Sequence, residues 1–235
     1  MTAELKASRS DTTLTLTIAN PGQQNSVDSN ILGAIIESLS KAERDDGIRC
    51  VILTGADRNF CGGIQSSKDL ATQIALLESL QNLIETITSF PKPVIAAVEG
   101  LALDAGFSLA LACDLIIAGK NAGFGISATQ LGTWSVGGAP WFLSRSLPPQ
   151  WLTEILLDTK PLPASRLHNA GLINRLSVDG NVLDKALEWA GQLSTVSQGT
   201  FEKLKTMLGD NTCATMQNYF SLERHRLLTK RSGPA

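Results

Sequence analysis

Short apolar runs that end in glycine are the feature that most constrains the fold of this chain. Three of them, CVILTG, PVIAAVEG and CDLIIAG, are each typical of a buried parallel strand. Between the first two, apolar residues recur at helical spacing from Leu70 to Ile87, and Pro91 closes that segment. Between the second and third lies a further apolar helix, AGFSLALA. Because strands alternate with helices over short connections, the sequence predicts an α/β fold with parallel pairing and right-handed crossovers.

The two ends of the chain extend this pattern differently. Apolar residues alternate with threonines over residues 13–18, which predicts a half-buried strand, and helical spacing follows over residues 26–44. Beyond Trp151 the pattern is helical, with a break at the two prolines of PLP. We therefore predict a core over residues 1–150 and a helical region over residues 151–235, without a linker between independent cores.

The charge balance and the apolar content exclude two classes of partner. The chain has 20 basic and 22 acidic residues, and this net charge of -2 provides no field that would attract nucleic acid or an anionic membrane. The first segment, MTAELKASRS, lacks an apolar signal core, and no stretch approaches the roughly 20 apolar residues of a membrane span. We expect a soluble protein with neither nucleic acid nor membrane as a partner.

The cysteines indicate a reducing compartment. The four cysteines show no C-x-x-C spacing, and two of them fall in strand-like apolar runs, where a reduced and buried thiol is the usual state. We therefore expect a cytoplasmic protein. The sequence contains no metal-ligand cluster and no nucleotide-binding glycine pattern, so we expect no metal and no separate cofactor.

Two strand-to-loop junctions make the chain recognisable. The segments VILTGADRNFCGGIQ and KPVIAAVEGLALDAGFSLALACDLIIAGKNAGFG closely resemble, in length, spacing and order, the two signature segments of the crotonase (enoyl-CoA hydratase/isomerase) superfamily. The segments NPGQQNSVDSNIL, LGTWSVGGAPWFLSRSL and AGLINRL also resemble the family's first turn, active-site loop and later strand, whereas the last forty residues match poorly. The resemblance covers most of the chain.

The resemblance implies a fold, a substrate class and an assembly. The fold is the crotonase (ClpP-like) fold of repeated ββα units in a spiral core, with a helical C-terminal trimerisation region. The substrate is an acyl-CoA or acyl-carrier-protein thioester, so coenzyme A arrives as part of the substrate. The protein is expected to assemble as a homotrimer or hexamer.

The resemblance also implies an oxyanion hole, in which two backbone N–H groups bind the thioester oxygen. The matching positions are Ile64 after the first loop and Ala105 at the start of the helix after the second. Backbone donors tolerate side-chain change, and a helix N-terminus favours negative charge. Gly63 and Gly106 would allow close approach of the substrate and the backbone, although glycines at these junctions can also serve only turns.

Carboxylates are absent where the family places its two hydratase glutamates. Those positions are Ser108 and Ala128, and the position of a further acidic residue in the active-site loop is Val136. Hydration needs a base to activate water and an acid to deliver a proton, and neither serine nor alanine supplies them at neutral pH. We therefore rank decarboxylation or another lyase step above hydration. The alternative is a catalytically silent homologue that acts as an oligomeric partner protein.

Two other residues are candidates to transfer protons. Asp104 precedes the second donor, where its carboxylate either caps the following helix, transfers a proton or repels a misplaced substrate carboxylate. His225, in SLERHRLL, stands roughly where decarboxylases of this family carry a histidine, although a histidine among charged neighbours is more often a solvated surface residue. The lysine of those decarboxylases appears here as Thr72.

The remaining predicted contacts concern the substrate. Trp134 would reshape the acyl pocket, and Thr129 and Ser108 could hold a water molecule or a polar acyl group. Arg58 and Lys120 are candidates to touch the phosphates of coenzyme A, although lone surface cations are usually only solvated.

Overall fold

The computed structural model describes residues 3–65, 67–126, 137–158, 160–209 and 213–229. The main sheet has the strand order β1-β2-β3-β4-β6-β9, and a smaller sheet has the order β5-β7-β8. The strands are β1 (Glu4–Ser10), β2 (Thr13–Ala19), β3 (Cys50–Gly55), β4 (Val94–Val98), β5 (Leu101–Leu103), β6 (Leu115–Gly119), β7 (Gly123–Gly125), β8 (Leu162–Pro163) and β9 (Arg175–Ser177).

The predicted parallel pairing is confirmed from β2 through β3, β4 and β6 to β9. Strand β1 instead pairs antiparallel with β2, with Glu4 opposite Ala19 and Ser10 opposite Thr13. The sequence did not predict this strand, because its side chains are almost all exposed and show no buried alternation. Being an edge strand, β1 is made mainly of polar and charged residues, which disfavour pairing with other chains.

The helices alternate with the strands as predicted. They are α1 (Ser29–Arg44), α2 (Leu70–Ser89), α3 (Ala105–Ala112), α4 (Ala139–Ser146), α5 (Pro149–Leu157), α6 (Ala164–Asn169), α7 (Val182–Leu193), α8 (Gln198–Gly209) and α9 (Cys213–Thr229). The first two begin at aspartate caps: Asp28 Oδ1 accepts from Ile31 N at 2.8 Å, and Asp69 Oδ2 accepts from Thr72 N at 2.8 Å.

Both faces of the main sheet are covered. On one face, the strands pack against α7 in a small cluster that includes Ile52, Ile95 and Trp189. On the other face lies the larger core, to which α1 and α2 contribute their apolar stripes and α3 contributes nearly all of its residues. Burial on both faces explains why β3 and β4 read as continuous apolar runs rather than as alternating ones.

The region beyond Trp151 is mainly helical, as predicted, but two short strands interrupt it. Strand β8 lies within the PLP segment itself, and β9 overlaps the end of AGLINRL, the segment that resembles the family's later strand. In the described ranges no helix combines the length and the apolar character that crossing a membrane requires. Cys50, Cys61 and Cys113 are free thiols and are buried.

Candidate active site

The first glycine-containing loop is held by the segment that precedes α1. Asn25 is fully buried, and its side-chain amide donates to the carbonyl oxygens of Ala56, at 2.8 Å, and of Asn59. Further along the loop, Val27 N donates to Gly63 O at 2.9 Å and Gln65 N donates to Val27 O at 2.9 Å. These bonds fix the backbone on both sides of Ile64. The sequence analysis did not single out Asn25, although its place after the first turn of the chain is a position where asparagine often bonds to backbone.

The second loop is joined directly to the first. Cys61 N donates to Leu101 O at 3.0 Å, and Leu103 N donates to Cys61 O at 2.9 Å. The start of α3 therefore packs against the first loop so closely that a side chain on Gly106 would place its Cβ 2.1 Å from the Cys61 carbonyl oxygen. Only glycine fits at this crossing without a backbone shift.

The two predicted donors lie on these joined loops. Among the described residues, no backbone carbonyl accepts a hydrogen bond from the N–H of Ile64 or of Ala105. Ala105 is the first residue of α3, where the first N–H groups have no partner inside the helix and the helix dipole favours negative charge. Both predicted donors therefore lie on loops that are hydrogen-bonded to each other.

Asp104 connects the two loops, but it does not act as predicted for a helix cap. Its backbone angles are φ 52° and ψ −116°, and its side chain makes no capping hydrogen bond to the first turn of α3. The capping interpretation is therefore wrong, because the positive φ turns the residue out of the extended conformation that a cap uses. The carboxylate is buried, and its Oδ2 lies 3.5 Å from the position that a Cβ on Gly63 would occupy. Gly63 itself has φ +119°, a conformation that favours glycine.

Ser108 lies one turn into α3 and is fully buried. Its hydroxyl oxygen accepts a hydrogen bond from Ala139 N, at 3.0 Å, in the first turn of α4. A neutral hydroxyl that accepts this structural bond is a poor base for activating water. The residue therefore links the helix that carries the second donor to the start of α4.

Comparison with known proteins identifies the family. The model of the family described as Enoyl-CoA hydratase/isomerase matches residues 8–231. This chain belongs to that family. Among curated relatives of this crotonase-superfamily member, 1,2-epoxyphenylacetyl-CoA isomerase of Escherichia coli is 32% identical over 222 residues, with 90% of this chain and 84% of the relative covered. The 2,3-dehydroadipyl-CoA hydratase of the same organism is 30% identical over 226 residues, with 94% and 88% covered.

Solved structures agree on the crotonase fold. An enoyl-CoA hydratase from a Polaromonas species is 36% identical, with a TM-score of 0.83, and the alignment covers 95% of this chain and 90% of that one. A Mycobacterium avium enoyl-CoA hydratase has a TM-score of 0.87 over 98% of this chain and 94% of its own, and at 24% identity it bears on the fold alone. The predictions of the superfamily and of the fold are thus confirmed.

Several predicted site residues do not join the buried cluster around Ser108. His225 is exposed on α9, and its role in catalysis stays a prediction. Thr72 donates its hydroxyl to Asp69 Oδ2 at 2.6 Å and so belongs to the cap of α2. Arg58 and Lys120 are exposed, as expected of solvated cations. The predictions for Ala128, Thr129, Trp134 and Val136 lie outside the described residues.

Glu223, which was not predicted as a site residue, binds the same segment before α4 that Ser108 binds. It is 1% exposed, and its Oε1 accepts from Gly138 N at 3.1 Å, one residue before the amide that Ser108 binds. The signal that could have found it is the apolar stripe of α9, in which Met216, Phe220 and Leu227 recur at helical spacing and Glu223 occupies the same face.

Cys61 lies beside the two loops but is unsuited to nucleophilic chemistry. Burial raises the pKa of its thiol to about 12, and the charge of Asp104 acts in the same direction. Its Sγ donates to Gly63 O at 3.5 Å, within the first loop. A thiol that stays protonated at neutral pH is a structural cysteine rather than a reactive one.

Proposed function

We propose that this crotonase-superfamily chain is an enzyme that binds an acyl-CoA or acyl-carrier-protein thioester and stabilises its enolate with the N–H groups of Ile64 and Ala105. The observation that carries the proposal is a pair of backbone donors on two loops that are hydrogen-bonded to each other, neither donor having a backbone acceptor within the described ranges. One such donor typically contributes about 3–4 kcal/mol to the stabilisation of a developing oxyanion. Coenzyme A enters as part of the substrate, and no other cofactor is required.

The reaction that these groups suit best is decarboxylation or another lyase step. In a decarboxylation, the bond between the α-carbon and the carboxylate breaks, and its electron pair forms the enolate that the two N–H groups bind. Carbon dioxide leaves, and the α-carbon then takes up one proton. This sequence needs an oxyanion hole and one proton donor, whereas hydration also needs a base for water. The hydroxyl oxygen of Ser108 accepts a hydrogen bond from Ala139 N, which makes it a poor base for water. This supports decarboxylation, because it needs fewer acid and base groups than hydration.

The names of the similar proteins support a thioester as the substrate, but they differ in the reaction that they specify. Their names include an isomerase, 1,2-epoxyphenylacetyl-CoA isomerase, and a hydratase, 2,3-dehydroadipyl-CoA hydratase, which act on different acyl groups. Both names specify a coenzyme A thioester. We therefore assign the acyl thioester as the substrate class and leave hydration as an outcome of the test.

Asp104 is the proposed proton-transfer group within one chain. Its carboxylate is buried next to Gly63 and immediately precedes the Ala105 donor, so it adjoins both loops. His225, which is exposed on α9, is the second candidate for proton transfer. Gly63, Gly106, Ser108, Thr129 and Trp134 are the proposed substrate-lining residues.

The proposal is tested by turnover of the purified protein against crotonyl, 3-methylglutaconyl, malonyl and aryl acyl-CoA thioesters, followed by mass spectrometry. Loss of carbon dioxide from one of them supports the lyase assignment, and addition of water shows a hydratase. The Ala105→Pro variant removes one oxyanion donor at the first position of α3 and should abolish turnover.

The matched control is Ser29→Pro, which places proline at the first position of α1, two residues after Val27, and leaves the Val27 N–H and carbonyl that bind the first loop in place. Its activity should equal that of the parent. A parent protein that converts no thioester and shows no thioester binding by calorimetry would overturn the proposal and favour the silent partner protein.

A further inference from the structure

Helix α9 buries a carboxylate in its apolar stripe. Met216, Phe220 and Leu227 are at most 5% exposed, and Glu223, on the same face, is 1% exposed. A buried carboxylate is costly unless hydrogen-bond donors satisfy it, so its partners indicate what the residue is for.

The donors come from two other elements. Glu223 Oε1 accepts from Gly138 N at 3.1 Å, and Oε2 accepts from Gln81 Nε2 at 3.0 Å. Gln81 belongs to α2 and is 2% exposed, and its Oε1 accepts in turn from Arg224. The carboxylate therefore binds the backbone immediately before α4 and a side chain of α2 at the same time.

The geometry at Gly138 leaves little freedom. Gly138 has φ +92°, and a Cβ there would lie 2.9 Å from the Phe220 ring, which is one turn before Glu223 on α9. Because Gly138 has no side chain, α9 can pack against the same backbone that Glu223 of α9 binds. A negative charge at this position also suits the N-terminus of α4.

The next amide along the chain is the one that Ser108 binds. Gly138 N donates to Glu223, and Ala139 N donates to Ser108 Oγ. Ser108 N donates to Asp104 O at 3.1 Å, in the turn that presents the Ala105 N–H. Three hydrogen bonds, joined by the backbone between Gly138 and Ala139 and by Ser108 itself, therefore connect α9, through the start of α4, to the start of α3.

We propose that Glu223 is a positioning residue, which holds the start of α4 against Ser108 and thereby fixes the turn that presents the second oxyanion donor. The inference rests on the proposed function of Ala105. Through this carboxylate, docking of α9 onto the core is coupled to the geometry of the thioester site. Glu223 touches no reacting atom in this role and acts through Gly138, Ala139 and Ser108.

The test uses the full-length protein and the nearly isosteric variant Glu223→Gln. Its side chain has one carbonyl oxygen and one NH2 group, so it cannot accept from both Gly138 N and Gln81 Nε2. Hydrogen exchange read by mass spectrometry should show about tenfold faster exchange in the peptides that contain Gly138–Ala139 and Ala105–Ser108. For a thioester that the parent converts, kcat should fall about tenfold while KM changes less than about threefold.

A swap of the two partners supplies the rescue. In Gln81→Glu combined with Glu223→Gln, the new glutamine can accept from Gly138 N and donate to the new glutamate. The double variant should restore both exchange and kcat to within about threefold of the parent. The matched control, Glu202→Gln on the exposed face of α8, should behave as the parent.

Unchanged exchange at either peptide in Glu223→Gln would overturn the proposal. So would a double variant that regains exchange without regaining kcat, since that result would mean that the carboxylate itself takes part in the chemistry. A parent that converts no thioester would overturn the proposed function alone, because exchange is measured on the unliganded protein.

Discussion

At the scale of single residues, Asp104 has backbone angles that residues other than glycine rarely adopt. With φ 52° and ψ −116°, it occupies a region that costs a residue with a Cβ about 1–3 kcal/mol relative to its preferred angles. The neighbouring contacts hold it there: Asp104 N donates to Gly125 O at 2.9 Å, and Ser108 N donates to Asp104 O. Such strain next to a proposed substrate site indicates that the side chain has a use that outweighs its cost to stability.

Replacement of Asp104 by glycine should separate the strain from the function. The Asp104→Gly variant relieves the backbone strain, so the free energy of unfolding in urea should rise by about 1 kcal/mol. Turnover should fall at least tenfold, because the proposed proton-transfer group is lost.

Two variants complete that experiment. Asp104→Asn keeps the strain and removes the charge, so it should lose turnover without gaining stability. Asp11→Gly, at φ 49° in the exposed turn between β1 and β2, should leave turnover unchanged. Full activity of Asp104→Gly would show that the carboxylate transfers no proton and would remove it from the site.

At the scale of elements, one ion pair fastens α8 to the core. Lys205 Nζ lies 3.0 Å from Asp114 Oδ1 and donates to Ile87 O at 2.8 Å. The side chains are 12% and 17% exposed, so the pair is largely buried. Burial raises the pKa of the Asp114 carboxyl, and the charge of Lys205 opposes that rise. Removing the lysine therefore leaves a buried carboxylate without its main compensating charge.

The Lys205→Met variant should consequently lose about 2–4 kcal/mol of unfolding free energy at pH 7. The loss should depend on pH in a definite direction. A carboxyl whose folded pKa lies above its unfolded value contributes stability below the unfolded pKa, and that contribution is lost as the pH rises through the folded pKa. The deficit relative to the parent, measured by urea unfolding, should thus be smaller at about pH 4.5 than at pH 7.

The control for this prediction lies on the same helix. Lys203 is exposed on α8, and Lys203→Met should change the unfolding free energy by less than about 0.5 kcal/mol at either pH. Adding Asp114→Asn to Lys205→Met should recover part of the loss, since the buried charge is then absent. A deficit that grows as the pH falls would contradict the assignment of Asp114 as the cause.

The elements also show how far the sequence could predict this molecule. Strands β3 and β4 and helix α3 were predictable because burial on nearly all sides gives short continuous apolar runs, and α2 was predictable because burial of one stripe imprints a helical period on its residues. Strand β1 was not, since an exposed edge strand carries no such period. The predicted donors, Ile64 and Ala105, came from the resemblance of two loops to the family's signature segments. The predicted groups there are backbone N–H groups, which do not depend on the identity of the side chain.

The side chains of the site were harder to predict than its backbone. The partner of Ser108 is an amide 31 residues away, and that of Glu223 is an amide 85 residues away, so neither bond has a local sequence signal. The conformation of Asp104 likewise depends on the bonds that join β5, β7 and α3. For these residues tertiary contacts decided the outcome, whereas local propensity favoured a cap at Asp104.

At the scale of the whole molecule, α8 presents an apolar face to solvent. Leu204 and Met207 are 52% and 78% exposed, and their spacing of three residues puts them on one side of the helix. Exposed apolar residues clustered on one helix are typical of a protein–protein interface. The helix lies in the C-terminal region to which we assign trimerisation, so we expect a second copy of the chain to cover this face.

We therefore predict that the protein elutes in size-exclusion chromatography with light scattering at about three or six times its 25.0 kDa mass, and that Leu204→Ser combined with Met207→Glu elutes as a monomer. Burying two such side chains contributes about 1.5–3 kcal/mol each, and a buried unpaired carboxylate opposes association further. Val178→Glu, which changes an apolar residue that is 65% exposed after β9, should leave the assembly intact. A monomeric parent would contradict the predicted trimer or hexamer, and an assembled double variant would mean that the subunits meet through another face.

The monomeric double variant also tests whether assembly acts on the thioester site. If it shows the faster exchange at Gly138 that is expected of Glu223→Gln, then assembly orders the thioester site through α9. If exchange is unchanged, α9 docks onto its own core without help from a neighbouring subunit.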